Sequence, residues 1–192
     1  MSRFTFMTIN FLLFHTCWMA TAYGAGYGWD WLGPTFILPS LFIHLALIGY
    51  WIREGLFLLV AATFGYSINS LCYFLGLINY STSNSELYLA PYWMFFLWLI
   101  FASLFHGSLQ WLRDRFLTQI VLGLVVGPFA YLSAEVLGAL TIGGDSSITL
   151  PILSLVWGII IPFLSWLAFD VSYFSTIQHT GVSYQRNTEP VS

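Results

Sequence analysis

The side chains that could do chemistry are few and sit in unusual places. His15, His44 and His106 lie inside long apolar runs, as do Asn69, Tyr131 and Glu135. A polar or ionisable group in hydrocarbon costs free energy unless it is paired or wet, so each is a candidate for a ligand contact or a proton path. Imidazole titrates near neutral pH, which suits His106 to passing a proton. Ser103, His106 and Gln110 recur at helical spacing, and their stripe runs into Arg113, Asp114 and Arg115. The resulting path would lead toward Asn69. Glu135 ends a second stripe, Gly123, Gly127, Tyr131, Glu135, spaced by four residues and therefore on one helix face. His15 and His44 fall at similar depth on consecutive apolar runs, the minimum that haem ligation by two imidazoles requires. No His, Cys or Glu spacing suits zinc, and four histidines are too few for diiron boxes, so neither a metal nor a cofactor is expected. The short strings "HGS" at 106–108 and "GYSIN" at 65–69 supply no ordered base for a serine nucleophile.

The elements that must position these groups are membrane helices. Of the 192 residues 58% are hydrophobic and only 7% charged, where a soluble domain carries roughly 25% charged residues. Windows of about 19 residues predict six spans, near 5–23, 35–52, 57–78, 91–112, 116–140 and 150–172, with a polar tail from 175 to 192. The expected fold is an all-α integral membrane protein, one six-helix bundle over residues 1–192, because no hydrophilic block is large enough to bury its own core. All five basic residues are arginine and the net charge is −3, which leaves no field for nucleic acid.

Arg3, Arg53, Arg113, Arg115 and Arg186 all fall on the same alternating set of loops and termini, whereas the opposite loops hold Asp30, Glu86 and Asp145. Basic residues mark the cytoplasmic side, so both termini are expected there. Arg3, an apolar run and "TAYGAG" also resemble a secretory signal, but Asn10, His15 and Thr16 dilute the run and favour a retained helix. Gly123 and Gly127 form a GxxxG surface for close helix packing, inside the bundle or in an oligomer through span five. Pro162 bends span six and frees the carbonyl of Gly158. Asp170, near the inner surface, is expected to pair with Arg53, Arg113 or Arg115, and Cys17 and Cys72 to pack as unbridged apolar groups.

"INFLLFH", "WDWLG", "LFHGSLQWLRDR" and "GPFAYLSAEVLGA", spread over residues 9 to 170, resemble the bacterial inner-membrane family catalogued as domain of unknown function 2878. The resemblance implies a small protein of the bacterial inner (cytoplasmic) membrane with no established activity, and it assigns no catalytic residue. It also implies an acidic residue at the position of Asn69 in relatives, which puts a charge-based mechanism there in question.

An aromatic-rich bundle with few charges, an acid in its outer half and a proline-bent helix points to non-catalytic binding or transport of a small lipophilic molecule or lipid. One alternative of the same kind is a substrate-capture subunit similar to those of energy-coupling-factor transporters, with "ATAYGAG" as its docking stripe. An intramembrane enzyme or haem protein using His15, His44, His106 and Glu135 is the rival of another class. A third reading is an assembly partner for another membrane protein, docked through the glycine face.

Overall fold

The computed structural model describes residues 2–82 and 88–179, with side chains described as far as Phe169. The expected pairing of Asp170, along with Glu86, Arg186 and residues 180–192 of the tail, lies outside the described residues. Six helices follow in order: α1 (Arg3–Gly26), α2 (Leu32–Ile48), α3 (Trp51–Phe74), α4 (Tyr92–His106), α5 (Phe116–Val136) and α6 (Ser146–His179). Three are long and apolar enough to cross a membrane, namely α3, α5 and the Ser146–Phe169 part of α6, while α2 has 17 residues and α4 has 15. Their outward faces carry large bare apolar side chains such as Phe42, Leu56, Leu117 and Ile159, each at least 60% exposed. Faces of that kind are stable against lipid and not against water.

Local chemistry sets the helix ends. The Ser2 hydroxyl accepts from the Thr5 amide at 3.1 Å and caps α1. Gly49, at φ 82°, takes the left-handed conformation that stops α2 and lets α3 start two residues later. Asp145 Oδ1 accepts from the Ser147 amide at 2.8 Å at the start of α6.

α4 is the central helix. Trp98 through Phe105 are buried without a break, because α1, α2, α3 and α6 all pack against it. α5 and α6 form an antiparallel hairpin with the most extensive contact of any two elements. A Cβ at Gly123 would overlap the carbonyl of Trp157, and one at Gly127 the Trp157 ring. The GxxxG face is thus covered by α6, so any oligomer contact through α5 is left to its other face.

Three expectations need correction. α4 stops at His106, six residues before the predicted end, because the chain breaks at Gly107 (φ −108°, ψ −114°) and turns through a 3-10 segment, Gln110–Leu112. Gln119 holds this turn by donating to the Leu112 carbonyl at 2.7 Å and to Ser165 Oγ at 2.9 Å. Ser103, His106 and Gln110 therefore do not share one helical stripe. α3 begins at Trp51, so Arg53 and Glu54, read from the sequence as a break, are inside its first turn. Two short strands were also not anticipated. β1 (Ile78–Tyr80) pairs antiparallel with β2 (Leu140–Ile142), Ile78 opposite Ile142 and Tyr80 opposite Leu140, and ties the α3–α4 connection to the α5–α6 connection.

The two ends of the bundle differ in chemistry. At one, Arg3 donates to Gln110 Oε1 at 3.0 Å, and the Arg113 guanidinium lies 5.0 Å from the Phe169 ring centre. At the other are the strand pair and the contact of Gly26 with the Leu137 carbonyl. Asp30 also lies there, and burial holds its carboxyl above the usual carboxylate range against the opposing pull of the Thr82 hydroxyl.

Candidate functional site

Near the arginine end, five side chains from four helix segments form a buried polar cluster. α1 supplies Asn10, α2 His44, α3 Glu54, and α4 Ser103 and His106. Small residues make the approach possible, since a Cβ at Gly107 would overlap Asn10 Oδ1. Asn10 Oδ1 accepts from the Ser108 amide at 2.9 Å, which fixes the orientation of its side-chain amide. Its Nδ2 then donates to Ser103 Oγ at 3.2 Å and faces His44 Nδ1 at 3.4 Å. An N–H aimed at Nδ1 leaves His44 protonated on Nε2, and that nitrogen donates to Glu54 Oε1 at 2.8 Å.

The other oxygen of Glu54 meets His106. Nε2 of His106 lies 2.9 Å from the Ala168 carbonyl, which can only accept, so this nitrogen carries a proton. Nδ1 lies 2.7 Å from Glu54 Oε2, a close contact bent away from ideal hydrogen-bond alignment. The Glu54 side chain has no exposed surface. Without a proton between them, a lone pair would face a carboxylate oxygen in a site closed to water. The cluster therefore holds one shared proton, either on Glu54 or on His106.

A cleft of about 490 Å³ lies on the other side of α4, between α1 and α5, with α4 and α6 behind it. Its walls are apolar and rich in aromatic rings, including Phe11, Trp18, Trp98, Phe101, Phe129 and Trp157, and among the described residues no Arg, Lys, Asp or Glu lines it. Asn69 closes the back. Its Oδ1 accepts from Trp98 Nε1 at 2.9 Å, and its Nδ2 donates to the hydroxyls of Tyr80 at 2.8 Å and Tyr131 at 3.1 Å. Trp98 in turn stacks on Trp157, with ring centres 5.3 Å apart and planes 14° from parallel. Gly65 lets Trp98 lie against α3, because a Cβ there would overlap the indole.

The residues singled out in the sequence are thus divided between two places. Asn69 and Tyr131 belong to the cleft's polar back, and His15 lines its rim with Nδ1 turned to the Phe11 carbonyl at 3.0 Å. His44 and His106 belong to the buried cluster. His15 is exposed on α1 while His44 is buried against Glu54, so the two imidazoles are not presented to a common haem iron. His106 reaches Glu54 and Ala168, with no hydrogen bond to Asn69. Glu135 accepts from the Ile142 amide at 2.8 Å and so fastens β2 to the end of α5. Cys17 and Cys72 are both free and buried. Among the described residues, Ser108 of "HGS" has no hydrogen-bond partner for its Oγ.

Glu54 and Asn10 were missed as site residues. A signal for Glu54 was present: Asn69, Gly65, Ala61 and Leu58 step back along the buried face of α3 at helical spacing, and the next step is Glu54. No group of three or more His, Cys, Asp or Glu side chains among the described residues could hold a metal ion.

No curated protein and no solved structure matches the chain. Residues 7–163, which carry every helix of both sites up to the middle of α6, match a family described as a protein of unknown function, and the chain accordingly belongs to the DUF2878 family.

Proposed function

We propose that this protein is a non-catalytic, membrane-embedded binder or carrier of a small lipophilic molecule, which it takes from the bilayer into the cleft between α1 and α5. In this reading all six helices cross the bacterial inner membrane, with the arginine end and both termini on the cytoplasmic side. One observation carries the proposal: the cleft of about 490 Å³ is of ligand size, apolar and aromatic. α1 and α2 fit the role of spans because both carry large exposed apolar side chains, among them Phe4 and Leu12 on α1 and Leu38 and Phe42 on α2. Native mass spectrometry of gently solubilised protein tests it directly. A retained small molecule, lost when Ala130 on the cleft wall is changed to Trp, is the expected result. Mass corresponding to bare protein under conditions that keep bulk lipid bound elsewhere would count against it.

A second reading, proton-coupled movement of that ligand, takes its support from the single proton shared by Glu54 and His106. Its test is ligand uptake into vesicles with and without an imposed pH gradient.

A further inference from the structure

We infer that the ligand of the α1–α5 cleft is a lipophilic phenol whose hydroxyl donates a hydrogen bond to Nε2 of His15. This rests on the reading of the cleft as a lipophile site. His15 is exposed and lines the cleft on the wall that α1 contributes. Three contacts fix its ring. Nδ1 lies 3.0 Å from the Phe11 carbonyl, which can only accept, so Nδ1 carries a proton. The Phe11 ring lies with its centre 4.1 Å from that of the imidazole, and Phe14 meets the imidazole at right angles at 5.3 Å. In the neutral ring the lone pair is then on Nε2, and no described residue donates to it. Among the described residues no carboxylate lines the cleft to pair an imidazolium, and an unpaired cation against an apolar wall is disfavoured, so the neutral form is the one this site favours.

The place of that lone pair narrows the ligand. His15 is midway along α1, about 17 Å of helix from either end, and in the proposed membrane reading neither water nor a lipid head group supplies a donor at this depth. An acceptor left unmatched there is costly, and a hydroxyl brought in by the ligand would satisfy it. The group that donates must itself be carried to mid-bilayer, which suits an uncharged hydroxyl and disfavours a phosphate, carboxylate or ammonium head. The other hydroxyl and amide side chains on the lining are committed or out of reach. Asn69 is bonded to Trp98, Tyr80 and Tyr131, Ser133 donates to the Phe129 carbonyl at 2.7 Å, and Ser108 Oγ is buried. The walls supply the aromatic part of the assignment. Phe11, Phe14 and Trp18 share α1 with His15, Phe101 and Trp157 lie behind on α4 and α6, and Phe129 is opposite on α5. Offset and edge-to-face contacts with such rings favour an aromatic ligand over an aliphatic one of the same size. A phenolic O–H is also more acidic than an alkanol O–H, and so is the stronger donor to a ring nitrogen.

The experiment uses the full chain in phosphatidylcholine nanodiscs and four radiolabelled probes of similar shape: para-octylphenol, its methyl ether para-octylanisole, para-octylcyclohexanol and para-octylbenzoate. Empty nanodiscs give the background. Saturable binding of the phenol is expected, with the methyl ether, which cannot donate, roughly two- to thirteen-fold weaker, the range one hydrogen bond gives. The cyclohexanol should be weaker than the phenol by a similar factor, roughly two- to thirteen-fold, through loss of the ring contacts, and the benzoate weaker than the phenol. The comparison of phenol with ether needs no variant. His15→Phe, which keeps a ring on the wall and removes the acceptor, should bring the phenol down to the level of the ether and leave the ether unchanged, with thermal melting confirming that the variant is folded. If phenol and ether bind alike to the native chain, or if the phenol keeps its advantage in His15→Phe, the assignment to His15 is overturned while the cleft reading stands. Benzoate binding more tightly than the phenol would make His15 a receptor for an acid, and cyclohexanol binding as tightly would remove the aromatic ligand; either overturns the phenol. If no probe binds saturably, the cleft reading itself fails and this inference with it.

Discussion

Glu54 Oε2 and His106 Nδ1 lie 2.7 Å apart inside the bundle, and the two atoms can face one another only with a proton between them. That proton distinguishes two substitutions of Glu54. Glutamine can keep both contacts, its carbonyl accepting from His44 and its amide donating to His106, so Glu54→Gln should melt within about 1 kcal/mol of the native protein. Glu54→Leu leaves the His44 and His106 nitrogens facing hydrocarbon and should cost about 3 to 5 kcal/mol. Thermal unfolding in detergent compares them. Equal loss in both would mean that the carboxylate charge, and not hydrogen-bond matching, holds the cluster.

The glycine face of α5 gives a steric prediction. Gly127→Val places methyl groups into the Trp157 ring and Gly123→Val into the Trp157 carbonyl, so each should destabilise the α5–α6 hairpin by about 1 to 3 kcal/mol. Size-exclusion chromatography with light scattering should show the oligomeric state unchanged in whatever fraction remains folded. Loss of an oligomer with native melting would reassign the face to a partner.

The six helices were legible because each is an apolar run longer than a strand, and each run in the sequence corresponds to a helix in the fold. Their ends were less legible for reasons that can be named. Hydropathy averages over a window, so it carried α4 through Gly107 into "SLQWL", although the backbone turns there and those residues form part of the α4–α5 connection. The same averaging stopped short of Glu54, whose charge and Arg53 neighbour read as loop although the helix begins three residues earlier. Asn69, His44 and His106 were visible as single polar residues in apolar runs. Their partners were not, since Asn10 reaches Ser108 across 98 positions of chain and no local pattern records such a contact.

Asn69 can be tested from its three bonds. Asn69→Leu leaves the Trp98 N–H without its acceptor at the back of the cleft and should cost about 1 to 3 kcal/mol. Asn69→Asp keeps an acceptor for Trp98 and for both tyrosine hydroxyls, which can turn to donate. The aspartate variant should therefore unfold at a higher temperature than the leucine variant, and the reverse order would show that the amide's donors matter more than its acceptor.

The proposed topology can be tested at the bundle's two ends. Activity reporters fused after Arg115 and after Ser192 should be active on the cytoplasmic side and one fused after Asp145 should not. A cytoplasmic signal at Asp145 would reverse the orientation or remove one crossing, with α2 and α4 as the short helices to suspect first.

His106 joins α4 to α3 through Glu54 and to α6 through the Ala168 carbonyl, so its removal should reveal how far the cluster acts as a unit. Alone, His106→Leu strips a buried carboxyl of one partner and should cost about 3 to 5 kcal/mol, similar to Glu54→Leu. Together, the two substitutions replace facing polar groups by apolar ones, and the second change no longer strands the first residue's partner. The double variant should then lose well under the sum of the singles, with a coupling in the range of about 0.5 to 3 kcal/mol. The residual loss should come from the His44 N–H and the Ala168 carbonyl, both left without partners. Adding Asn10→Leu separates a pair from a network: a further departure from additivity would place Asn10 and His44 in the same unit as Glu54 and His106. Strict additivity in the double variant would mean that the 2.7 Å contact contributes no coupling, and with it would go the shared proton on which proton-coupled transport depends.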